Sequence, residues 1–403
     1  MRDIRRDQLR CPAVVLDIDI RTGYGSATVD VQRYRTAWCL VRDGGVVVEA
    51  RFFDIEDHAV LTLDDVREQL AATGLPAAAT PTTVGPASLT VAIPTNRADS
   101  LPIALQSLTK QSDPDFEVLI IDNSSDGRIA ATITEFGGLA LRTCHERVPG
   151  ISRARNCGIR HVSTDLIAWL DDDEVADPDW VAWLKRGFAA PGRPDAVAGV
   201  MLPAELETQA QVDFERYGGF NKGRPMQPQE LRSGSRAVLS PLYPLPGFGA
   251  GGNMAFRMDA LRSIGGFDNR LGSAIIHGGE ETRALSELLH RGSLILHWPP
   301  AVTWHYHRRT NQELEKQLYG YAAGLTGFYM SWLMASPRCA LEIAGLIPRG
   351  VRRILATRRS GRPGGPPAGF PENLLRASRR GLYRGAWMYL WDNRHQRRYT
   401  VTR

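Results

Sequence analysis

The chain has 403 residues, 43% hydrophobic and 23% charged. That balance suits two or three folded domains and excludes a collagen, a disordered polymer and a disulfide mini-protein. The net charge of +5 hides an asymmetry: residues 338–403 carry 15 Arg, no Lys and 3 acids, a balance of +12, which leaves the first 337 residues at −7. A basic end block suits an anionic surface, either membrane or nucleic acid.

Residues 1–75 read as an N-terminal accessory domain, β-rich at 13–20 and 45–53 and helical at 62–72. Its apolar run is broken by Asp17 and Asp19, which predicts no signal peptide. Residues 76–87, rich in Pro, Ala and Thr, read as a linker. From residue 88 short apolar runs at 89–94, 116–121, 139–143, 166–170 and 195–202 alternate with helical patterns. That rhythm predicts an α/β fold, a mainly parallel sheet flanked by helices on both faces. In such sheets ligands bind beyond the carboxyl ends of the strands. The polar groups Thr95-Asn96-Arg97, Asp122 and Asp171–Asp173 fall at those ends.

Asp171-Asp172-Asp173-Glu174 abut the apolar run Ile167-Ala168-Trp169-Leu170. Four adjacent acids repel one another and need a counter-charge if desolvated. Mg²⁺ or Mn²⁺, which take oxygen ligands and can hold a diphosphate, would supply it. A solvated turn, with Glu174 or Asp177 capping a helix, is the other reading. Asp122 could accept from a base N–H or a ribose hydroxyl, or simply begin the turn Asp-Asn-Ser-Ser-Asp-Gly. Glu280 and Glu281 open a helical pattern, either as dipole partners or as a general base for an acceptor hydroxyl. His305 and His307 follow an extended run, so they should point to opposite faces, with at most one toward a site. The Gly-rich stretch 249–254 lacks a P-loop ending and suits close backbone approach to a ligand. Five cysteines without a CxxC lead us to expect reduced thiols and a cytoplasmic location.

Taken together, these segments resemble the family 2 glycosyltransferases of GT-A fold. Val-Ala-Ile-Pro-Thr-Asn-Arg (91–97), Leu-Gln-Ser-Leu-Thr-Lys-Gln (105–111), Val-Leu-Ile-Ile-Asp-Asn-Ser-Ser-Asp (118–126) and Gly-Ile-Ser-Arg-Ala-Arg-Asn-Cys-Gly (150–158) come in the family's order. They are followed by Asp171–Asp173, Gly-Gly-Asn-Met-Ala-Phe-Arg (251–257), Ile-Gly-Gly-Phe-Asp (264–268) and Gly-Glu-Glu-Thr (279–282). The resemblance covers residues 88–310, the expected catalytic domain. It implies that Thr95, Arg97, Asp122, Arg155, Asp171 and Asp172 bind the nucleotide. By the same resemblance Asp171, Asp173 and His305 hold Mg²⁺ or Mn²⁺. Gly252 and Asn253 would serve the acceptor side. Glu281 would be the base, with Glu280 its rival, because Glu stands at 281 where the family usually has Asp. The implied reaction is inverting transfer of a sugar from a nucleoside-diphosphate donor to a glycan, lipid-linked or small-molecule acceptor. The alternatives are a nucleotidyltransferase or a catalytically inactive sugar-nucleotide- or glycan-binding protein.

Residues 311–403 read as a helical, Arg-rich extension. Residues 318–337 are free of charge but carry too much Gly, Ala and Ser for a membrane span, and read as a core or interfacial helix. The aromatics of that segment, with Arg349, Arg352, Arg353, Arg358 and Arg359 behind it, suggest peripheral contact with an anionic membrane at the inner face of the cell. No nucleic-acid partner is expected beside an acidic body.

Overall fold

The computed structural model describes residues 1–21, 28–73, 87–125, 127–244, 247–356 and 369–400. The expected linker lies outside them apart from Ala87, as do Arg358 and Arg359. The first unit pairs β1 (Arg2–Asp3), β2 (Ala13–Asp19), β4 (Thr36–Asp43) and β5 (Val46–Asp54) in the order β1-β5-β4-β2. A ribbon of β3 (Thr28–Asp30) and β6 (Val60–Thr62) and the helix α1 (Leu63–Thr73) complete it.

Strand β4 was not anticipated from the sequence. It is buried on both faces, so its pattern does not alternate. Ala37, Cys39 and Val41 face the unit's own core with Val66 and Leu70. Trp38 and Leu40 instead join Val200, Leu202, Val212 and Val302 of the larger domain. The two units therefore share a core.

The larger domain contains β7 (Leu89–Thr95), α2 (Leu101–Leu108), β8 (Glu117–Asp122), α3 (Arg128–Ile133), β9 (Leu141–His145), α4 (Ile151–His161), β10 (Leu166–Trp169) and β11 (Glu174–Ala176). It continues through α5 (Trp180–Phe188), β12 (Ala196–Pro203), α6 (Gln209–Arg216), β13 (Gln229–Leu231), β14 (Met254–Arg257), α7 (Met258–Ser263), α8 (Glu280–His290) and β15 (Ile295–His305). Its sheet runs β9-β8-β7-β10-β14-β12-β15-β11, with β13 also paired to β15. β14, β11 and β13 are antiparallel to their neighbours; the other six strands share one direction.

Alternation of side chains fills both faces. Val91, Ile93, Val118, Ile120 and Ala168 pack with Leu101, Leu105, Trp180 and Leu184 of α2 and α5. Ala92, Leu119, Ile121, Ile167 and Trp169 pack with Ala154 and Cys157 of α4 and with Leu285 and Leu288 of α8. This is the α/β, GT-A type of architecture.

Three helices follow: α9 (Asn311–Ala335), α10 (Ala340–Ala356) and α11 (Glu372–Thr400). A Cβ at Gly381 or Gly385 of α11 would collide with the backbone of α9 at Tyr319 and Ala323. These glycines let the two helices lie against each other closely. α9 is accordingly a core helix, with Phe328 and Trp332 buried, and not the interfacial one its aromatics suggested. Among the described residues no helix is long and apolar enough to cross a membrane.

A buried ion triad also ties the two units. Arg42 donates twice to Asp17, at 2.7 and 2.9 Å, and once to Asp177 Oδ2 at 2.6 Å. Asp177 therefore anchors the N-terminal sheet and does not cap a helix. Removing one partner of a buried pair strands the other charge, which typically costs about 3–5 kcal/mol. Arg42→Ala should lower the urea unfolding free energy by about that amount; a loss under about 1 kcal/mol would show that the triad does not join the units.

Candidate active site

Strand β7 neighbours β8 on one side and β10 on the other, so the chain leaves it in two directions. A crevice forms at such a switch point. It opens here into a cleft of about 1550 Å³, lined by Thr95, Arg97, Arg155, the Asp171–Asp173 triplet, Gly252, Glu280, Glu281 and His305, among others.

The acid triplet follows β10 directly. Thr95 Oγ1 donates to Asp172 Oδ2 at 2.5 Å. Arg97 pairs with Asp172 and reaches Asp173 Oδ2 at 3.0 Å. Arg308, not anticipated from the sequence, stands 3.7 Å from the same oxygen. His305 Nε2 lies 3.8 Å from Asp173 Oδ1. Burial, only partly offset by Arg155 and compounded by Asp173 and Asp172, pushes Asp171 up to about 6. Burial also raises Asp172, against Arg97 and Thr95. Asp173 moves the other way: burial would raise it, but His305, Arg97 and Arg308 outweigh that and hold it below its ordinary range. Burial drives His305 down to about 3, so its ring is neutral at pH 7, and the arginines carry the effect on Asp173.

Glu174 is wholly buried beside Asp171 and Thr303. Burial, then the nearby Asp171, raises its pKa well above the ordinary value. It does not cap a helix. Gly252 roofs this group: a Cβ there would collide with Glu174 Oε1 and lie 2.9 Å from Asp171 Oδ2. The glycine-rich stretch thus serves close packing over the acid cluster.

On the opposite wall, Glu280 and Glu281 begin α8. They follow Gly278 and Gly279, whose φ values are +97° and +90°. A Cβ at Gly279 would come within 2.7 Å of the Gly324 carbonyl of α9, so the C-terminal extension supports this loop from behind. Glu280 is fixed: Arg155 Nη1 donates to its Oε1 at 2.7 Å. Arg155 also donates to the Gly251 carbonyl at 3.1 Å and stands 3.7 Å from Asp171 Oδ1. It is a buried strut across the cleft. Burial and then Glu281 push Glu280 up to about 7, despite Arg155. Glu281 lines the cleft and is less buried than Glu280; the Oε2 atoms of both are buried without a hydrogen-bond partner among the described residues.

Asp122 ends β8 as anticipated; its carboxylate accepts from Ser124 N at 2.8 Å and faces His145, and the neighbouring Asn123 lines the cleft. Two expectations change. Asn253 does not face the cleft. It is fully buried, its Oδ1 accepting from Trp180 Nε1 and its Nδ2 donating to Val200 and Ala301 carbonyls. The two histidines do not point apart. β15 ends at His305, the chain turns, and the rings meet with Nδ1 atoms 3.0 Å apart. Only His305 lines the cleft.

Residues 90–265 match the model of the family described as Glycosyl transferase family 2. A glucosyl-dolichyl phosphate glucuronosyltransferase of Haloferax volcanii is 24% identical over 184 residues, 44% of this chain and 53% of that protein. A pre-mycofactocin glycosyltransferase of Mycobacterium tuberculosis is 24% identical over 181 residues, 44% of this chain and 35% of that one. The chain thus spans about half the length of the first relative and about a third of the second. Among solved structures, a mannosyltransferase from Pyrobaculum calidifontis in complex with GDP-Man and Mn2+ aligns at TM-score 0.49 and 17% identity, covering 82% of this chain and 94% of that one.

If Asn253 is a strut, Asn253→Ala leaves an indole N–H and two carbonyls without partners in the core. Unmade buried bonds cost about 1–3 kcal/mol each. The unfolding free energy should fall by at least about 2 kcal/mol, with Mn²⁺ affinity unchanged in the folded fraction; the opposite pattern would return Asn253 to the cleft.

Proposed function

We propose that the chain is an inverting glycosyltransferase that moves a sugar from a nucleoside-diphosphate donor to an acceptor hydroxyl. The observation that carries this reading is the convergence, across one cleft of a family 2 domain, of the Asp171–Asp173 cluster with Glu281. The donor set Asp171, Asp173 and His305 suits Mn²⁺ or Mg²⁺: carboxylate oxygens with one neutral imidazole, beside more buried carboxyl groups than Arg97 and Arg308 offset. When bound there, such an ion would stabilise the negative charge of the leaving diphosphate.

The residues of the chain do the rest. Thr95 and Arg97 hold Asp172 and, with Asn123, border the nucleotide pocket. Arg155 spans the distance between Asp171 and Glu280, and so fixes the donor wall relative to the acceptor wall. Glu280 is buried and held through Oε1 by Arg155, which leaves the less buried Glu281 to take the acceptor proton. The acceptor oxygen then bonds to the anomeric carbon, the bond from that carbon to the diphosphate oxygen breaks, and the nucleoside diphosphate leaves with the electron pair. Attack from the face opposite the diphosphate inverts configuration.

The acceptor is lipid-linked in this proposal, and the enzyme works at an anionic membrane on the cytoplasmic side. Two features support it. The far end of the cleft is bordered by Gly350 of α10 and by Leu375 and Leu382 of α11. α11 also presents Tyr383, 82% exposed, and Trp387, 62% exposed, with Trp391 stacked on Trp387 and Arg380 and Arg384 alongside. Aromatic and Arg side chains together suit a membrane interface. The first relative's printed name includes a dolichyl phosphate, which agrees with a lipid-linked acceptor.

Asp173→Ala should abolish transfer and Mn²⁺ binding. Glu281→Gln should keep donor binding and lose transfer by about 10²- to 10⁴-fold. With a panel of nucleotide sugars, release of nucleoside diphosphate supports the reading. Release of inorganic diphosphate from a nucleoside triphosphate would mark a nucleotidyltransferase, and binding without turnover an inactive binding protein.

Co-sedimentation with anionic vesicles should be strong at low salt and weak at high salt. It should fall tenfold or more when Trp387 and Trp391 become Ala and Arg380 and Arg384 become Gln. No sedimentation at any salt would overturn the membrane assignment.

A further inference from the structure

We infer that Glu215, through His307, is a positioning residue that fixes the ring tautomer of His305, and that Trp38 of the N-terminal unit anchors this relay. The inference rests on the reading of His305 as a metal ligand.

The chain of contacts is continuous and buried. Trp38 Nε1 donates to Glu215 Oε2 at 3.2 Å. Glu215 Oε1 lies 3.1 Å from His307 Nε2. His307 Nδ1 meets His305 Nδ1 at 3.0 Å, and His305 Nε2 turns toward Asp173. The four side chains from Trp38 to His305 are no more than 4% exposed. Phe214 and Phe220 pack edge-on against the rings, at centroid distances of 4.9 Å to His307 and 4.8 Å to His305. The backbone closes over the acid at Gly219, where φ is +56° and a Cβ would collide with Glu215 Oε1.

Hydrogen-bond chemistry fixes the protons along this line. The indole N–H can only donate, and a carboxylate can only accept. His307 Nε2 therefore carries the hydrogen it gives to Glu215. In the inferred relay that is the ring's one hydrogen, and the bare His307 Nδ1 accepts from His305 Nδ1–H. This leaves His305 Nε2 with its lone pair directed at the cleft beside Asp173. A ligating imidazole commonly donates its other N–H to an acceptor that sets its orientation and tautomer. Here that acceptor is a second histidine, held in turn by a carboxylate and by a tryptophan from the accessory unit. Residues 1–75 thus contribute to the site without touching the cleft at Trp38.

Glu215→Gln is the decisive variant, because it keeps the shape and reverses the proton order. A Gln amide oxygen can still accept from Trp38, but its –NH₂ would donate to His307 Nε2. His307 Nδ1 would then donate to His305 Nδ1, and His305 Nε2 would carry a proton toward Asp173. Long-range ¹H–¹⁵N spectra of the metal-free protein, labelled at histidine, read each ring nitrogen directly. Wild type should show His305 with Nδ1 protonated and Nε2 bare, and Glu215→Gln the reverse. Mn²⁺ affinity, measured by paramagnetic resonance with the metal alone, should fall about 10- to 100-fold in Glu215→Gln. Trp38→Phe, which keeps the ring but loses the donor, should show a smaller fall in the same direction and serves if Glu215→Gln does not fold. Unchanged tautomers in Glu215→Gln, or a wild-type His305 protonated at Nε2, would overturn the relay. If His305→Ala binds Mn²⁺ as wild type does, the metal assignment fails, and the tautomer spectra still decide the relay separately.

Discussion

Four consecutive carboxyl groups at the end of a buried strand are the constraint on which the site depends. An isolated carboxylate taken out of water costs several kcal/mol unless it is paired, hydrogen-bonded or protonated. The chain uses a different solution at each position. Asp172 takes Thr95 and Arg97; Asp173 takes Arg97, Arg308 and the edge of His305; Asp171 has only the more distant Arg155; at Glu174 burial raises the pKa well above the ordinary value. The solutions are unequal, and the group with the weakest compensation, Asp171, lies against the open cleft. That under-neutralisation is what the proposed cation would answer.

The parts of the chain outside the family domain matter because they hold pieces of this cluster's surroundings. The N-terminal sheet places Arg42 on Asp177 and Trp38 on Glu215. The C-terminal helix α9 brings Gly324 against Gly278 and Gly279, setting the start of α8 and hence Glu281. The α9 contact would not be possible with a bulkier residue at Gly279 or Gly324, and none of these contacts is local in sequence. One wall of the cleft is thus built where strands end, and the other is backed by α9.

Much of this was legible in the sequence where chemistry and local pattern coincide. The acids after Trp169-Leu170, the Thr95-Asn96-Arg97 turn and Glu280-Glu281 stood out because charge abutting an apolar run is unusual. β4 was not legible: with core on both faces it shows no alternation, and Trp38 and Leu40 read like any apolar residues. Asn253 misled because a Gly-Gly-Asn turn looks like a ligand loop, while its side chain in fact closes a gap among Trp180, Val200 and Ala301. The histidine pair misled because strand alternation was extended past His305, where β15 stops. Glu215 gave no signal at all. It sits in the last turn of α6, where an acid ordinarily faces solvent, and only the packing of other elements over it reveals its burial.

The aromatics of the C-terminal extension illustrate the same limit from the other side. Residues 318–334 and the α11 segment carry similar residue types, and composition cannot rank them. The glycines decide. Gly381 and Gly385 let α11 lie close on α9, which removes Phe328 and Trp332 from solvent and turns the α11 stripe Tyr383, Trp387 and Trp391 outward. A helix that buried its aromatics would be an ordinary packed extension. One that keeps three of them in water, spaced four residues apart beside exposed Arg380 and Arg384, leaves apolar area uncovered. A compact monomer rarely does so without a partner for it. The same helix also borders the cleft, through Leu375, Arg379 and Leu382.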